Sequence, residues 1–424
     1  MAVDVAAHEN SRVARAPGLG RLALLLFALA LLAGAALALA DVYRRAASDP
    51  KAGQDARNVC AAVEAYRAGL DPYYVKNLKA DGWLSFTYPP AFLDALSPVC
   101  SPALHIARDR VWLYPLIGLA AAVLVAGRRR LAAPPWRRAA AVALVLAGLS
   151  GFPWTYQTGN IQWLSGLLLA GFLASLRWAD DDGASQRLQL KWYFAAAVLG
   201  LYASLKFIEL PALLCLLWLP ANFRERLKLL AFAGAVFAAI FAIGYFAYGD
   251  LFSTFVASLQ GRIPDQHSPA TEGCNVSLYC FSKPFAALAT NDAVGRGLTS
   301  LAIYAGLLAL LAWPFLKRLG TRRSALAVKI ALLLWYLVQP RLKQYTLFDP
   351  AVILAALVFE LPVLAVAILG VVDVLAPVAL QLSGVGGLIA AWCQAGELLV
   401  SYFVVVAAAG PAALSATPAA APSP

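Results

Sequence analysis

The segment LALLLFALALLAGAALALA, residues 22–40, is an apolar run without a charged side chain. A helix needs roughly 17–25 such residues to cross the hydrocarbon core of a bilayer. Similar runs recur along the 424-residue chain, of which 61% is hydrophobic and only 13% charged, whereas soluble domains carry about 25% charged residues. The sequence therefore predicts an all-α polytopic membrane protein with about 11–12 transmembrane helices.

A second interpretation of residues 22–40 is a secretory signal peptide. The run lacks a clean small-residue cleavage site followed by a soluble chain, and further apolar runs come after it. We therefore interpret the run as the first transmembrane helix.

The basic residues give the chain a net charge of +11, which by itself would fit a nucleic-acid partner. They fall, however, in short clusters between the apolar runs, as is typical of cytoplasmic loops. We interpret the charge as a topology signal and predict no nucleic-acid partner. The clusters comprise Arg128, Arg129, Arg130, Arg137 and Arg138, then Arg224, Arg226 and Lys228, then Lys317, Arg318, Arg322 and Arg323.

Placing these clusters in the cytoplasm predicts the sidedness of the spans. Residues 41–110 then form a first periplasmic loop and residues 248–296 a second, within a single membrane domain of residues 1–410. No Lys or Arg follows Lys343, so the number and orientation of the later spans stay open. Residues 411–424, rich in Ala and Pro, are predicted to be disordered.

The first periplasmic loop contains a stretch with helical periodicity. Apolar residues there recur at i, i+3, i+4 and i+7, which predicts an amphipathic helix. Such a helix lies along the membrane surface, with Glu64 and Arg67 toward water or lipid headgroups. The apolar stripe comprises Val59, Ala62, Val63, Tyr66 and Leu70.

Four of the six cysteines fall in the two periplasmic loops. Pairing does not follow from sequence alone, and free buried cysteines are the alternative to disulfides. The other two, Cys215 and Cys393, lie in apolar spans and are interpreted as packing residues. An oxidising periplasm would permit two bridges, Cys60–Cys100 and Cys274–Cys280.

Polar residues at the predicted periplasmic face are the candidates for chemistry. The sequence contains no Gly-rich phosphate loop, nucleophile elbow or Cys/His metal spacing, so we predict no metal site and no cofactor. Asp55 precedes the amphipathic run. It is either the N-cap of that helix or a general base that takes a proton from an acceptor hydroxyl at the membrane face.

Lys206 and Glu209 interrupt apolar sequence at a break that Pro211 reinforces. Ionisable groups at membrane depth are costly and usually line a polar cavity. Either the two residues, at i and i+3, neutralise each other in a turn, or Lys206 binds the phosphate of a lipid-linked substrate.

Arg341 and Lys343 lie at a predicted outer end of a span, where positive charge is less expected. Arginine suits bidentate contact with phosphate oxygens, so the two residues bind either a substrate phosphate or lipid headgroups. Asn275 and Ser277 match a glycosylation sequon, a pattern that often arises by chance. Their alternative role is to line a sugar-binding pocket.

Several short motifs, taken in order, resemble a known enzyme family, the family 87 glycosyltransferases. This is the bacterial group of polyprenyl-phosphate-sugar-dependent mannosyltransferases with the GT-C membrane fold. The resemblance covers roughly residues 20–350. In the first periplasmic loop it rests on Asp55, Tyr66, Gly69, DPY (71–73) and TYPP (87–90). Later motifs in matching order are GNIQWL (159–164), SLKFIELP (204–211) and NVSLYCF (275–281).

The resemblance implies an inverting sugar transfer at the periplasmic face of the bacterial inner membrane, without a cofactor. The donor would be a polyprenyl-phosphate-linked sugar and the acceptor a glycan or glycolipid. Asp55 matches the family's catalytic base, and Lys206 matches its lysine near the donor phosphate. Arg341 and Lys343 are the further donor-phosphate ligands predicted from their own chemistry. The implied substrate pocket comprises Tyr88, Asn160, Gln162, Glu209, Asn275, Ser277 and Tyr345.

The last active loop departs from the family pattern. The family usually has His or aromatic residues where this chain has Arg341, Lys343 and Tyr345. A pentose such as arabinofuranose is therefore an alternative to mannose as the transferred sugar.

Two other classes of protein share these features. A transporter or flippase for lipid-linked sugars would also combine apolar spans with buried charges. Transporters are typically built from inverted repeats with a site near the midplane, and we find no internal repeat. A structural subunit of an envelope assembly would use the charged loops only for docking.

Overall fold

The computed structural model describes residues 18–79, 86–127, 133–180, 186–264, 277–290, 292–319, 324–384 and 387–409. Within these ranges the regular structure is helical, and the described part of the chain contains no β-strand, only an isolated bridge between Cys100 and His105. The predicted all-α architecture is confirmed.

Sixteen α-helices follow one another along the described chain. The first eight are α1 (Gly18–Ser48), α2 (Gln54–Arg67), α3 (Ala91–Leu96), α4 (Arg110–Ala126), α5 (Pro135–Ala147), α6 (Gly151–Thr158), α7 (Gln162–Asp180) and α8 (Gln186–Leu205). A long 3₁₀ segment then spans Phe207–Trp218. The later helices are α9 (Phe223–Leu259), α10 (Leu278–Ala289), α11 (Ala293–Leu319), α12 (Ala325–Val338), α13 (Phe348–Leu357), α14 (Val363–Gly370), α15 (Ala376–Leu382) and α16 (Gly387–Ala408).

The long apolar helices make this a multi-pass membrane protein, as predicted. Seven shorter apolar helices of 10–17 residues accompany them in the described ranges. Together they are as numerous as the 11–12 predicted spans, but a single helix needs about 20 residues to cross a bilayer unaided. The five helices long and apolar enough to do so are Gly20–Ser48, Pro135–Thr158, Phe223–Leu259, Ala293–Leu319 and Val363–Leu382.

A kink separates α5 from α6 within the apolar segment Pro135–Thr158. Leu149 and Ser150 have φ of 53° and 55°, in the left-handed region that side chains rarely adopt. Gly151 follows, and a Cβ atom there would overlap the backbone of Leu347 and Phe348. The glycine thus permits a close approach that packs α6 against residues 344–347.

Contacts between helix ends define two ends of the bundle. At the first, Gln381 near the end of α15 donates from Nε2 to Asp41 Oδ2 of α1 at 3.0 Å. We call this the α2 end, because α2 follows α1 there. At the opposite end, Arg318 of α11 donates to the carbonyl of Val406 in α16 at 3.1 Å.

The helices beyond Lys343 alternate between these two ends. The turn after α13 reaches the opposite end, where Arg137 of α5 donates to the carbonyl of Leu361 at 2.8 Å. Helices α14 and α15, joined by a π turn, return to the α2 end, and α16 runs back. The structure therefore shows in which direction α13, the pair α14 and α15, and α16 run between the two ends, which the charge pattern left open.

The predicted start of the second periplasmic loop, residue 248, lies next to a kink in α9. Gly249 has φ of 39° there, and a second helical piece continues beyond it to Leu259. Residues 265–276 of the second loop lie outside the described residues, as does the predicted tail, 411–424.

The predicted amphipathic helix of the first loop is present as α2. Val59, Ala62 and Val63 are buried, as the periodicity predicts. Leu70 was assigned to the same stripe, but it is 45% exposed. The helix ends at Arg67, and Gly69, with φ of 73°, turns the chain before Leu70.

Candidate active site at the α2 end

Asp55 lies in the first turn of α2. Gly53, with φ of 74°, is the N-cap of this helix and no side chain caps it, so the interpretation of Asp55 as the helix cap is wrong. The Gly53 amide instead donates to the carbonyl of Gln157 at 2.7 Å. Asp55 Oδ2 accepts a hydrogen bond from Asn160 Nδ2 at 2.8 Å, which orients the carboxylate toward the turn between α6 and α7.

A second glycine allows this contact. Gly159 has φ of 71°, and a Cβ atom on it would lie 2.7 Å from Cβ of Ala56. Any larger residue would push the start of α2 away from the turn and separate Asp55 from Asn160. The GNIQWL motif therefore has a backbone role as well as a side-chain role.

The surroundings of Asp55 suit a proton acceptor. Burial raises the pKa of Asp55 above its ordinary value, because desolvation disfavours the charged form. The hydrogen bond from Asn160 acts against this rise, as do the charges of Lys206 and Lys343. A general base is most effective when its pKa approaches the working pH, so the raised pKa favours proton abstraction.

Lys206 lies at the break between α8 and the 3₁₀ segment. Its backbone is extended there, with φ of −139° and ψ of 116°. Nζ donates to Oε1 of Gln162 and lies 4.9 Å from the centroid of the Tyr345 ring, in cation–π range. An amide and an aromatic face thus hold this ammonium group in place.

Glu209 is buried, with 1% of its surface exposed. Its Oε2 accepts hydrogen bonds from Trp335 Nε1 at 2.9 Å and from Gln339 Nε2 at 2.8 Å. Because the Lys206 ammonium bonds Gln162 instead, the hypothesis that Lys206 and Glu209 merely pair with each other is wrong. Their charges still act on each other at longer range.

A buried carboxylate that sequence reasoning missed lies next to these residues. Asp349 is fully buried, at 0% exposure. Its Oδ2 accepts hydrogen bonds from Ser165 Oγ at 2.7 Å, Tyr336 OH at 2.6 Å and Tyr202 OH at 3.1 Å. The available signal was an acid inside the apolar stretch that begins at YTLFDP, since ionisable residues at membrane depth usually have a role.

Gln162 connects Asp349 to Lys206. Its Nε2 donates to Ser165 Oγ at 3.1 Å, while its Oε1 accepts from Lys206. A continuous chain of hydrogen bonds therefore runs from the ammonium through Gln162 and Ser165 to the buried carboxylate. This chain fixes the amide orientation of Gln162, and with it the position of Lys206.

The loop before residue 344 brings two further cations to the site. Lys343 is half-buried and its charge acts on Asp55. Arg341 is exposed and its charge acts on Lys206. Two of the three predicted cations, Lys206 and Lys343, thus act on Asp55, while Arg341 acts on Lys206.

Ser277 holds this loop in place. Its hydroxyl donates to the carbonyl of Pro340 at 2.8 Å and accepts from the amide of Cys280 at 3.2 Å as the N-cap of α10. The structure thus gives this predicted pocket residue two backbone contacts. Asn275, predicted alongside it, lies outside the described residues.

Tyr88 completes the surroundings of Asp55. Its side chain is buried, and its carbonyl accepts a hydrogen bond from Tyr73 OH at 2.7 Å. Asp55 and Tyr345 both act on it electrostatically. The predicted residues that the structure brings together are Asp55, Tyr88, Asn160, Gln162, Lys206, Glu209, Arg341, Lys343 and Tyr345.

One predicted disulfide is confirmed and braces the helix that carries Asp55. Cys60 and Cys100 are bridged, with Cα atoms 5.2 Å apart. Cys280 is also a disulfide cysteine, while its predicted partner Cys274 lies outside the described residues. Of the two cysteines interpreted as packing residues, Cys215 is buried and Cys393 is exposed on the bundle surface.

The arrangement offers three kinds of chemistry. Asp55 is placed to accept a proton, the cations are placed to bind an anion, and the amides are placed to bind hydroxyl groups. Within the described residues, no group of three or more His, Cys, Asp and Glu side chains is arranged to hold a metal ion.

Comparisons with known proteins give little further assignment. No protein-family model matches the chain, and no curated protein matches it. The solved structures that it resembles include the oligosaccharyltransferase of Archaeoglobus fulgidus in its apo form, at 13% identity and a TM-score of 0.41, covering 90% of this chain and 56% of that one.

Two further structures of the Archaeoglobus fulgidus enzyme are similar to the same degree. One is a complex with an inhibitory peptide and a dolichol-phosphate (13% identity, TM-score 0.41, 91% of this chain and 56% of that one). The other is a complex with Zn and sulfate (15% identity, TM-score 0.41, 90% and 53%). The chain spans little more than half the length of these structures, and so remote a likeness assigns no activity.

Proposed function

We propose that the protein is an inverting glycosyltransferase of the GT-C type. It moves a sugar from a polyprenyl-phosphate donor to a hydroxyl of a cell-envelope glycan or glycolipid, at the periplasmic face of a bacterial inner membrane. The observation that carries the proposal is Asp55, oriented by Asn160 and half-buried near Lys206 and Lys343. The ordered resemblance to the family 87 glycosyltransferases supports it.

Asp55 acts as the general base in this reaction. The acceptor hydroxyl attacks C1 of the donor sugar, a new C1–O bond forms, and the C1–O bond to the phosphate breaks. The hydroxyl proton passes to the Asp55 carboxylate. One displacement inverts the configuration at C1, and a positioned base contributes about 100- to 10,000-fold to its rate.

The cations stabilise the leaving group. Negative charge grows on the departing polyprenyl phosphate, and preorganised donors aimed at developing charge lower the barrier. Lys206, held by Gln162 and Tyr345, is the fixed member of the set. Arg341 and Lys343, on the loop tethered by Ser277, supply the other donors.

Uncharged side chains select the sugar. Asn160 and Gln162 each use part of their amide to hold a charged residue, and an amide offers two donors and an acceptor in total. Gln162 is fully buried and hydrogen-bonded at both ends of its amide, so it positions Lys206. The half-buried Tyr345 beside Lys206 suits the hydroxyls of mannose or of a pentose such as arabinofuranose.

The test is product analysis with purified protein and a panel of polyprenyl-phosphate mannose, glucose and arabinofuranose. We expect a glycosidic product with one donor, and a loss of about 100- to 10,000-fold in Asp55→Asn. Glu64→Gln is the matched control, because it changes a carboxylate to an amide on the exposed face of the same helix.

Two outcomes would overturn this proposal. Turnover of Asp55→Asn near that of the unmodified protein would remove Asp55 from catalysis. Movement of labelled donor lipid across a liposome bilayer, with no glycosidic product from any donor, would identify a transporter or flippase instead.

A further inference from the structure

A separate cavity of about 280 Å³ lies at the α2 end, between α1, α6, α15 and α16. It shares no described lining residue with the site around Asp55. Its polar lining comprises Arg45, Ser150, Gln157, Gln344, Gln381 and Gln394. Four carboxamides around so small a space are unusual for a bundle that is otherwise largely apolar.

Two contacts occupy the guanidinium group in this cavity. Arg45 is the one ionisable side chain among the described lining residues, and its Nε lies 2.8 Å from Asp41 Oδ2 in an ion pair. Arg45 Nη2 also donates to the carbonyl of Gln381 at 2.6 Å. Asp41 also pairs with Arg44 at 2.9 Å and so offsets only part of the charge of Arg45. The rest of the polar lining is uncharged and consists of one hydroxyl and four carboxamides.

The amides retain hydrogen-bonding capacity. Gln394 is 3% exposed, and its Oε1 has no hydrogen-bond partner within the described chain. The side-chain amides of Gln157 and Gln344 likewise make no hydrogen bond to another described residue. A buried polar atom without a partner is costly, so Gln394 brings unmet hydrogen-bonding capacity to the cavity wall, as do the half-buried amides of Gln157 and Gln344.

The other wall is apolar. Trp154, Val42 and Leu380 line it, with Pro153 and Pro377. A guest must therefore present hydroxyls on one side and C–H surface on the other. The volume is just below the range of about 300–1,000 Å³ that is typical of small-molecule pockets, so it suits one ring and not a chain of rings.

We infer that this cavity binds one uncharged sugar or cyclic polyol unit. Amides both donate to and accept from hydroxyls, while the Trp154 wall covers the apolar face of the ring. The ring is either the headgroup of a glycolipid or a unit of a soluble glycan. The inference does not depend on the role of Asp55, because none of the site residues lines the cavity.

The test measures binding directly. Saturation-transfer NMR is recorded on the full chain in lauryl dimethylamine oxide, a detergent without a sugar, with methyl α-glucopyranoside and methyl α-mannopyranoside as probes. Gln394→Leu removes the buried amide, and Ala390→Leu fills the cavity with a methyl-rich side chain. Gln260→Leu, on an exposed residue at the end of α9, is the matched control.

We expect saturation transfer from the protein to the ring protons of at least one probe. Gln394→Leu and Ala390→Leu should each weaken this transfer about tenfold. Gln260→Leu and Asp55→Asn should leave it unchanged, which separates this cavity from the proposed active site. If saturation transfer to octyl glucoside is stronger than to methyl α-glucopyranoside, the natural ligand is a lipid headgroup. If the two are equal, the natural ligand is a unit of a soluble glycan.

Three results would overturn the inference. The first is absence of transfer from every uncharged probe. The second is transfer that both cavity variants leave intact or that Asp55→Asn abolishes, which would place binding elsewhere. The third is tighter binding of glucose 6-phosphate than of the neutral glycosides, which would identify an anion site at Arg45 instead. Normal elution of each variant in size-exclusion chromatography controls for misfolding.

Discussion

Buried charges at the two ends of the bundle have different kinds of partner. At the opposite end, Lys329 of α12 forms a direct ion pair with Glu360. Arg137 donates to the carbonyls of Val358 and Leu361, in the turn that follows α13. Lys329 is thus paired with an opposite charge, and Arg137 ties two backbone carbonyls together.

Around Asp55, at the α2 end, the charges are held by neutral groups, whereas Asp41 and Arg45 at the same end form an ion pair. Asp55 is held by the amide of Asn160, and Lys206 by the amide of Gln162. Asp55 and Lys206 lie close enough for their charges to act on each other, but the two side chains form no ion pair. An amide orients a charge without neutralising it, so this end retains electrostatic capacity for a substrate.

The largest expected effect on stability is at the opposite end of the bundle, where Lys329 has a structural role. Lys329→Met removes the ion pair with Glu360, and breaking a buried ion pair costs about 3–5 kcal/mol. We expect a marked fall in unfolding temperature in detergent, with unchanged turnover per folded molecule. The double variant Lys329→Met/Glu360→Leu should recover most of the loss. A fall in turnover of folded protein would contradict the structural role.

The corresponding change at the α2 end should have the reverse signature. Lys206→Met removes a cation proposed to stabilise the leaving phosphate, and losing one such donor costs about 100- to 1,000-fold in rate. The unfolding temperature should stay the same or rise, because no ion pair is broken. The measurement is kcat/KM for the donor beside thermal unfolding, and a large loss of stability with normal kcat/KM would break the comparison.

Asp349 should have a smaller effect through position. Asp349→Asn weakens the chain that holds Gln162 and Lys206, and a hydrogen bond to a charged group contributes about 1.5–3 kcal/mol. We expect a roughly tenfold loss of kcat/KM, mainly through a higher donor KM. Ser165→Ala should give the same split, because it interrupts the same chain. Loss of stability alone, with unchanged KM, would assign Asp349 to packing.

The smallest effect concerns pH. Because burial raises the pKa of Asp55, the acid limb of the pH–rate profile should lie at a higher pH than for an exposed aspartate. Asn160→Ala removes a hydrogen bond that lowers this pKa, so it should move the limb to a still higher pH. A raised folded-state pKa stabilises the fold at low pH, and this contribution is lost as pH rises through that pKa. Asp55→Asn should therefore be neutral or stabilising at pH 7. A limb that Asn160→Ala leaves in place would contradict the contact.

Local patterns were sufficient for much of this molecule. The apolar run at residues 22–40 predicts a spanning helix because its length matches the bilayer. The interruption at Lys206 predicts the break after α8, and the stripe through Val59 and Val63 predicts α2. The pattern failed at Leu70 because Gly69 turns the chain after the helix ends.

The site depended on contacts that no local pattern contains. Asp55 meets Asn160 across 105 positions, and Ser165 meets Asp349 across 184. Asp349 was missed because an acid in an apolar segment predicts that the side chain is buried but does not predict its partners. The Lys206–Glu209 pair was wrong because i, i+3 proximity assumes a regular helix, and Lys206 has extended backbone.

By itself, the sequence determined that the chain enters the membrane many times and that charged residues gather at the ends of its spans. This follows because the transfer of apolar helices into lipid depends on composition and length. Only the tertiary structure decided which charges pair and which remain available. That choice depends on the close approach of α2 to Gly159 and of α6 to residues 344–347, and packing of this kind is a property of the whole bundle.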